Sequence, residues 1–258
     1  MDRECAERPV CATDEEEARR DVLDTAKAMS RQGLSPGRSG NVSRRFGDGM
    51  VITPSGMAYD EILPEDIVFV GPDGDLRPGE RRPSSEWRFH LAVYAARSDI
   101  AGIVHTHSMH ATVLASARHA IPAFHYMVAI AGGSDIPLVP YATFGTEALS
   151  RHVVRGLRKR DACLMANHGQ ITVGRTARTA LELACEVEIL AEQYWKVLAI
   201  GKPKLLDNEE MERVIALFKS YGQNAQAVVA PAGQQSISGQ RSKKAGKATR
   251  RSSEGRRP

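Results

Sequence analysis

Apolar residues recur at helical steps from the first acidic stretch onward. Ala18, Val22, Ala26 and Met29 stand three or four apart behind a Thr13–Glu16 pair with capping-box spacing, and Gly33 follows. One amphipathic helix is expected there, preceded by a loose lead-in over residues 1–12. Two short runs, Val42 to Phe46 and Met50 to Thr53, flank Gly47-Asp48-Gly49 and read as a hairpin. Ile67 to Val70 reads as a further strand, closed by the turn Gly71-Pro72-Asp73-Gly74. A helix is expected from Ser84 to about Arg97, then a buried strand from Gly102 to His107. Helices are expected over Ser108 to Ala117 and Thr146 to Arg160. Ala162 to Ala166 and Ile171 to Val173 read as strands around Asn167-His168-Gly169. A long helix from Thr176 to Ile200 stops at Gly201 and Pro203, and a last one covers Asn208 to Ser220. Hairpin connections mixed with crossovers predict an α/β fold, a mixed or antiparallel sheet covered by helices.

Charge changes this picture at one end only. The chain carries 35 Lys/Arg against 31 Asp/Glu over 258 residues. From Ala232 to Pro258 there are eight Lys/Arg and one Glu, a net +7, so the preceding residues are net −3. The basic excess therefore does not describe the body of the protein, and no specific nucleic-acid partner is expected. With Ile237 as its only large apolar residue, the tail lacks the surface to offset its ordering entropy and is expected to be disordered. No run approaches a membrane span. Asp2, Glu4 and Glu7 at the start do not resemble a signal peptide. Cys5, Cys11, Cys163 and Cys185 form no CxxC pair, which excludes a disulfide scaffold and leaves a reducing, cytoplasmic setting as the expectation.

Candidate chemistry concentrates at strand ends. His105 and His107 flank Thr106 after Ile103-Val104, so both imidazoles face one side of the strand at the separation two metal ligands need. The spacing is equally that of two hydrogen-bonded histidines. His168 occupies a tight turn between two apolar runs, where it serves either as a third ligand or as a turn residue. Three imidazoles with open positions form a catalytic rather than a structural zinc pattern. His90, His110, His119, His125 and His152 lack such placement and read as helix or loop residues. Glu86, in the first turn of the helix begun by Pro83-Ser84-Ser85, serves either as a complement to the helix dipole or as an acid/base. Ser84 and Ser85 place hydroxyls beside free N–H groups. Ser39-Gly40-Asn41 and Thr53-Pro54-Ser55-Gly56 are further small-residue turns of the kind that cradle phosphate. No P-loop is present and no GxGxxG follows a strand, so ATP and NAD are disfavoured.

In order, these five motifs resemble the class II aldolase/adducin family. Ser84-Ser85-Glu86-Trp87-Arg88-Phe89-His90, His125-Tyr126-Met127, Tyr141-Ala142-Thr143-Phe144-Gly145 and Phe218-Lys219-Ser220-Tyr221-Gly222 bring the likeness nearer to its zinc-dependent L-fuculose-1-phosphate aldolases. The likeness covers roughly residues 14–222, with a catalytic domain expected over 13–222 and the tail over 223–258. It implies an α/β/α sandwich with a mostly antiparallel central sheet and a homotetramer with sites at subunit boundaries. It implies that His105, His107, His168 and Glu86 hold Zn2+, although three imidazoles bind other divalent metals as well. It implies that Gly40, Asn41, Ser55, Gly56, Ser84 and Ser85 bind phosphate and that Glu86 moves protons. Tyr126 matches a tyrosine contributed across a subunit boundary, and Phe144 and Tyr221 match aromatics near the aldehyde fragment. The implied reaction cleaves the C3–C4 bond of L-fuculose 1-phosphate or a similar ketose 1-phosphate. The products are dihydroxyacetone phosphate and L-lactaldehyde, with zinc stabilising the developing charge as a Lewis acid. An L-ribulose-5-phosphate 4-epimerase is the alternative within the family, but an aspartate is expected there in place of Glu86. A non-catalytic adducin-like module fits less well, because the three histidines and Glu86 are intact. Ser55 stands where a threonine is also found, which keeps the hydroxyl.

Overall fold

The structure, a computed structural model, describes residues 12–220. The expectations for the lead-in, Tyr221 and the basic tail lie outside those residues. Seven strands form one sheet in the order β3-β2-β1-β4-β7-β6-β5. They are β1 (Asn41–Phe46), β2 (Gly49–Ile52), β3 (Val68–Val70), β4 (Gly102–Thr106), β5 (Leu138–Val139), β6 (Ala162–Met165) and β7 (Gly169–Gly174). Every neighbouring pair is antiparallel except β5 with β6. The helices are α1 (Ala12–Arg31), α2 (Trp87–Ala96), α3 (Met109–Ser116), α4 (Glu147–Leu157), α5 (Ala177–Ile200) and α6 (Asn208–Ser220). None of the described helices is long and apolar enough to cross a membrane.

The sheet is covered on both faces, which is why its central strands read as continuous apolar runs. Met50, Ile52, Ile103, Ile171 and Val173 pack with Phe89 and Val93 of α2 and with Leu149 and Val153 of α4. Their neighbours Val42, Val51 and Val104 turn to the other face and pack with α1 and with Ala177, Ala180 and Ala184 of α5. A third cluster joins α3, α5 and α6 to Leu164. The result is the expected three-layer α/β/α sandwich, and period-two alternation decides which side chain enters which layer.

Three local departures from the sequence reading bear on the site. First, α2 begins at Trp87 rather than Ser84. Pro83 bridges to Pro54 and the Ser84 N–H donates to the Thr53 carbonyl at 3.0 Å, so this segment is tied to the loop after β2 instead of entering the helix. Second, β5 was not expected; it is two residues long, between Pro137 and Pro140. Third, Tyr126–Ala131, a segment assigned no element from the sequence, forms a 3₁₀ turn.

Candidate active site

The antiparallel pairing of β4 with β7 sets His105 opposite Ile171, and the turn between β6 and β7 brings His168 to the same end. Asn167 makes that turn in a left-handed conformation, φ 53°, which asparagine tolerates better than most residues. Gly169 follows; a Cβ there would lie 2.2 Å from the Thr106 carbonyl oxygen and 3.2 Å from the His107 ring, so only glycine lets β7 approach the histidine strand this closely. The rings of His105, His107 and His168 form a near-equilateral triangle, each centroid 4.8 Å from the other two, with planes inclined by 70° to 77°.

Glu86 enters this triangle from the residue preceding α2. Its Oε2 lies 3.1 Å from His105 Nε2 and its Oε1 lies 3.0 Å from His168 Nε2. The sequence reading placed Glu86 inside the first helical turn; one residue further back, its side chain points across the sheet end rather than along the helix. Burial alone would raise the Glu86 carboxyl, but His105 and His168 beside it outweigh that and hold it far below the usual carboxylate range. Burial, with His105 and His168 adjacent, pushes His107 down to about 3, so its ring is neutral and offers a lone pair.

This donor set fits a divalent cation. The four ligand atoms lie within 4.8 Å of one another. His105 Nδ1 donates to the Gln170 carbonyl at 2.8 Å, which leaves Nε2 bare and facing Glu86 and, at 3.0 Å, His107 Nε2. Two ligands of one tetrahedral ion keep about 3.3 Å between them. Glu86 Oε1 is buried and no hydrogen bond reaches it, despite the His168 nitrogen beside it. A buried carboxylate set among imidazole nitrogens at these distances is a donor set that a divalent positive charge between them would complete.

A cavity of about 310 Å³ opens over the cluster. Gly40, Asn41, Ser55, Gly56, Ser84, Ser85, Glu86, His107 and His168 line it, with Phe144 at the mouth; His105 lies wholly buried behind them. All six residues matched to phosphate binding therefore line the same cavity. Gly40 cannot carry a side chain there, because a Cβ would lie 2.6 Å from Ser35 Oγ and 2.8 Å from the His105 carbonyl oxygen. The Asn41 side chain is already engaged: its Nδ2 donates to Glu86 Oε2 at 2.9 Å and its Oδ1 accepts from His90 Nε2 at 2.6 Å. Tyr126 is half exposed, 51%, and does not line this cavity, so its surroundings are not those of a core residue.

Residues 20–195 match the family described as Class II Aldolase and Adducin N-terminal domain. The chain belongs to this family. This class II aldolase family member is 52% identical over 214 residues to a 5-methylthioribulose-1-phosphate/5-deoxyribulose-1-phosphate aldolase of Rhodospirillum rubrum, covering 83% of this chain and 96% of that one. It is 47% identical over 204 residues to an L-fuculose phosphate aldolase of Escherichia coli, covering 79% and 94%. A solved L-fuculose 1-phosphate aldolase superposes with a TM-score of 0.77 at 37% identity, covering 81% of this chain and 98% of that one. The family is that of divalent-metal aldolases, and the Glu86–histidine cluster is a site of matching chemistry.

Sequence reasoning passed over two residues that the fold brings here. His90, read as an ordinary helix residue, is completely buried beside Asn41. Arg38 lines the cavity and its Nη1 donates to the Gly56 carbonyl at 2.9 Å. The signal for Arg38 was its place in Arg38-Ser39-Gly40-Asn41; for His90 it was the four-residue step from Glu86.

Proposed function

We propose that the protein is a metal-dependent aldolase that cleaves a deoxyketose 1-phosphate between C3 and C4 to dihydroxyacetone phosphate and a short aldehyde. The observation that carries this reading is one ionised carboxylate buried among three imidazoles at the floor of a cavity walled by small phosphate-type turns. His105, His107 and His168 would hold the metal, with Glu86 as a fourth ligand before substrate arrives. The bound metal, zinc or another divalent ion, supplies the Lewis acid that stabilises negative charge on the substrate oxygens. Ser55, Gly56, Ser84 and Ser85 hold the phosphate, and Arg38 adds the only permanent positive charge among the described residues of the wall. Binding at the phosphate orients C3 and C4 over Glu86.

In cleavage a proton leaves the C4 hydroxyl, the C3–C4 electron pair stays on C3, and a proton arrives at C3. Glu86, ionised at rest, would deliver the last of these after taking up one proton, equivalent to the one released from the C4 hydroxyl, so that the carboxylate is restored at the end. Tyr126 of a neighbouring subunit exchanges the C4 oxygen proton, in a homotetramer with shared sites; its exposure in a single chain supports that placement. Phe144, which lines the cavity, would serve the aldehyde fragment, and Tyr221, outside the described residues, is assigned to the same fragment on the family likeness alone.

Two substrate classes follow from the relatives. L-fuculose 1-phosphate would give L-lactaldehyde; a 5-deoxy- or 5-methylthio-ribulose 1-phosphate would give acetaldehyde or its methylthio derivative. The second class gains weight from the 52% identity to the Rhodospirillum rubrum aldolase. The deciding experiment incubates metal-loaded protein with all three and with L-ribulose 5-phosphate, identifying products. Formation of dihydroxyacetone phosphate that stops with a chelator and returns with zinc supports the reading. Interconversion of pentulose 5-phosphates without it would replace the reading by an epimerase.

A further inference from the structure

Glu86, His90 and Tyr94 stand four residues apart along one face of α2 and its lead-in, and Asn41 and Ser43 stand two apart on one face of β1. Four helical residues advance about 6 Å and two strand residues about 6.6 Å, so the two files mesh tooth by tooth. The mesh is hydrogen-bonded throughout. Ser43 Oγ is 2.9 Å from Tyr94 Oη and 2.7 Å from His90 Nδ1, His90 Nε2 is 2.6 Å from Asn41 Oδ1, and Asn41 Nδ2 is 2.9 Å from Glu86 Oε2. All five residues are at most 5% exposed.

Donor and acceptor chemistry gives this file a single direction. A carboxylate only accepts, so Asn41 must turn its NH₂ to Glu86 and its carbonyl to His90. That carbonyl also only accepts, so His90 carries its proton on Nε2. Burial keeps the His90 imidazole neutral, with its pKa down to about 3, which leaves Nδ1 bare to accept from the Ser43 hydroxyl. With its own proton given to His90, Ser43 accepts from the Tyr94 phenol at 2.9 Å, the Ala101 carbonyl being a longer second acceptor for that phenol at 3.4 Å. Reversing the Asn41 amide would set its carbonyl against the carboxylate and two donors against each other. Glu86 therefore decides which way Asn41 faces, and His90, in the matching tautomer, holds it there.

We propose that His90, held by Ser43, is a positioning residue that keeps Asn41 on Glu86 Oε2 and thereby fixes the orientation of the carboxylate over the cluster. This rests on the reading of Glu86 as the proton carrier. It assigns a role to a histidine that touches neither the cavity nor the three-imidazole cluster as a ligand.

The test compares His90→Phe, which fills the space without a donor, with His90→Gln, which restores an amide N–H toward Asn41. In metal-loaded protein His90→Phe should lower kcat by about 10- to 100-fold, the usual worth of an outer hydrogen-bond partner at a metal site. KM and bound metal should stay within about twofold, and His90→Gln should recover most of the loss. Should His90→Phe not fold, Ser43→Ala with His90→Gln carries the same comparison. Independently of activity, the imidazole ¹⁵N shifts of His90 in the metal-loaded wild type should show protonated Nε2 and bare Nδ1 at neutral pH. The opposite tautomer overturns the proposal. So does an unchanged kcat in a folded His90→Phe variant, or a loss matched by loss of metal. If the wild type cleaves no ketose phosphate, the functional reading fails instead, and the tautomer measurement still decides the direction of the file.

Discussion

At the floor of the cavity Glu86 is 5% exposed, with His105 at 0% behind it; among the other lining residues Tyr141 is 56% and Phe144 63% exposed. The floor is built from strand ends and a helix lead-in, and Glu86 and His105 each have a partner outside the cluster, Asn41 and the Gln170 carbonyl, to orient them. The rim side chains make no comparable contacts, and a loop can change them without disturbing the sheet. This difference separates what the fold dictates from what it leaves open. Under the proposed function, cleavage chemistry would belong to the floor and the choice of aldehyde to the rim. Accordingly, relatives whose names carry two different ketose phosphates both match this chain along most of its length.

The contrast can be broken hardest at the floor. His105→Ala should remove metal retention and cleavage together while circular dichroism still reports a folded protein; cleavage by a metal-free His105→Ala variant would dismantle the site. Glu86→Gln should keep the metal nearly bound and slow turnover by about 10²- to 10⁴-fold, read by single-turnover rates at saturating zinc.

A pH experiment tests the buried floor without substrate. The folded pKa of His90, about 3, lies below the unfolded value near 6.5, so the unfolded chain holds the extra proton between them. Stability contributed by this group is complete above about pH 6.5 and declines as pH falls toward 3, by at most about 1.4 kcal/mol per unit. Depressed His107 acts in the same direction. Denaturant titrations of metal-free protein should show that decline, and His90→Gln should flatten it.

Smaller effects are expected toward the rim. Arg38→Met should raise KM for ketose 1-phosphates by about 10- to 30-fold with kcat little changed, since a charged hydrogen bond to phosphate contributes about 1.5–2 kcal/mol. Phe144→Ala should alter the ratio of kcat/KM between L-fuculose 1-phosphate and 5-deoxyribulose 1-phosphate by no more than about tenfold. A floor-sized loss of turnover from Phe144→Ala would erase the distinction between the two regions.

The legible parts of the molecule were those coded by short periods. His105 sits on β4 and His107 just past its end, two apart, and His168 sits in a turn marked by Asn and Gly, so neighbours in the sequence reveal where they point. What depends on distant pairing was not legible. The start of α2 is set by the Pro54–Pro83 bridge, and the partners of His90 arrive from β1. β5 is too short for alternation to register and takes its place only by lying parallel to β6. Tyr126 sits in an apolar run whose other members are mostly buried, and nothing local distinguishes it from them.

The bond from His105 to the Gln170 carbonyl spans 65 residues of chain. Closing so long a loop is entropically costly and belongs among the slower events of folding. Until β4 and β7 have paired, the chain holds at most a two-histidine fragment of its site, with one ring free to rotate. Tight metal uptake during refolding should therefore lag behind helix formation and coincide with the last consolidation of the sheet, which makes the metal a clock for that event.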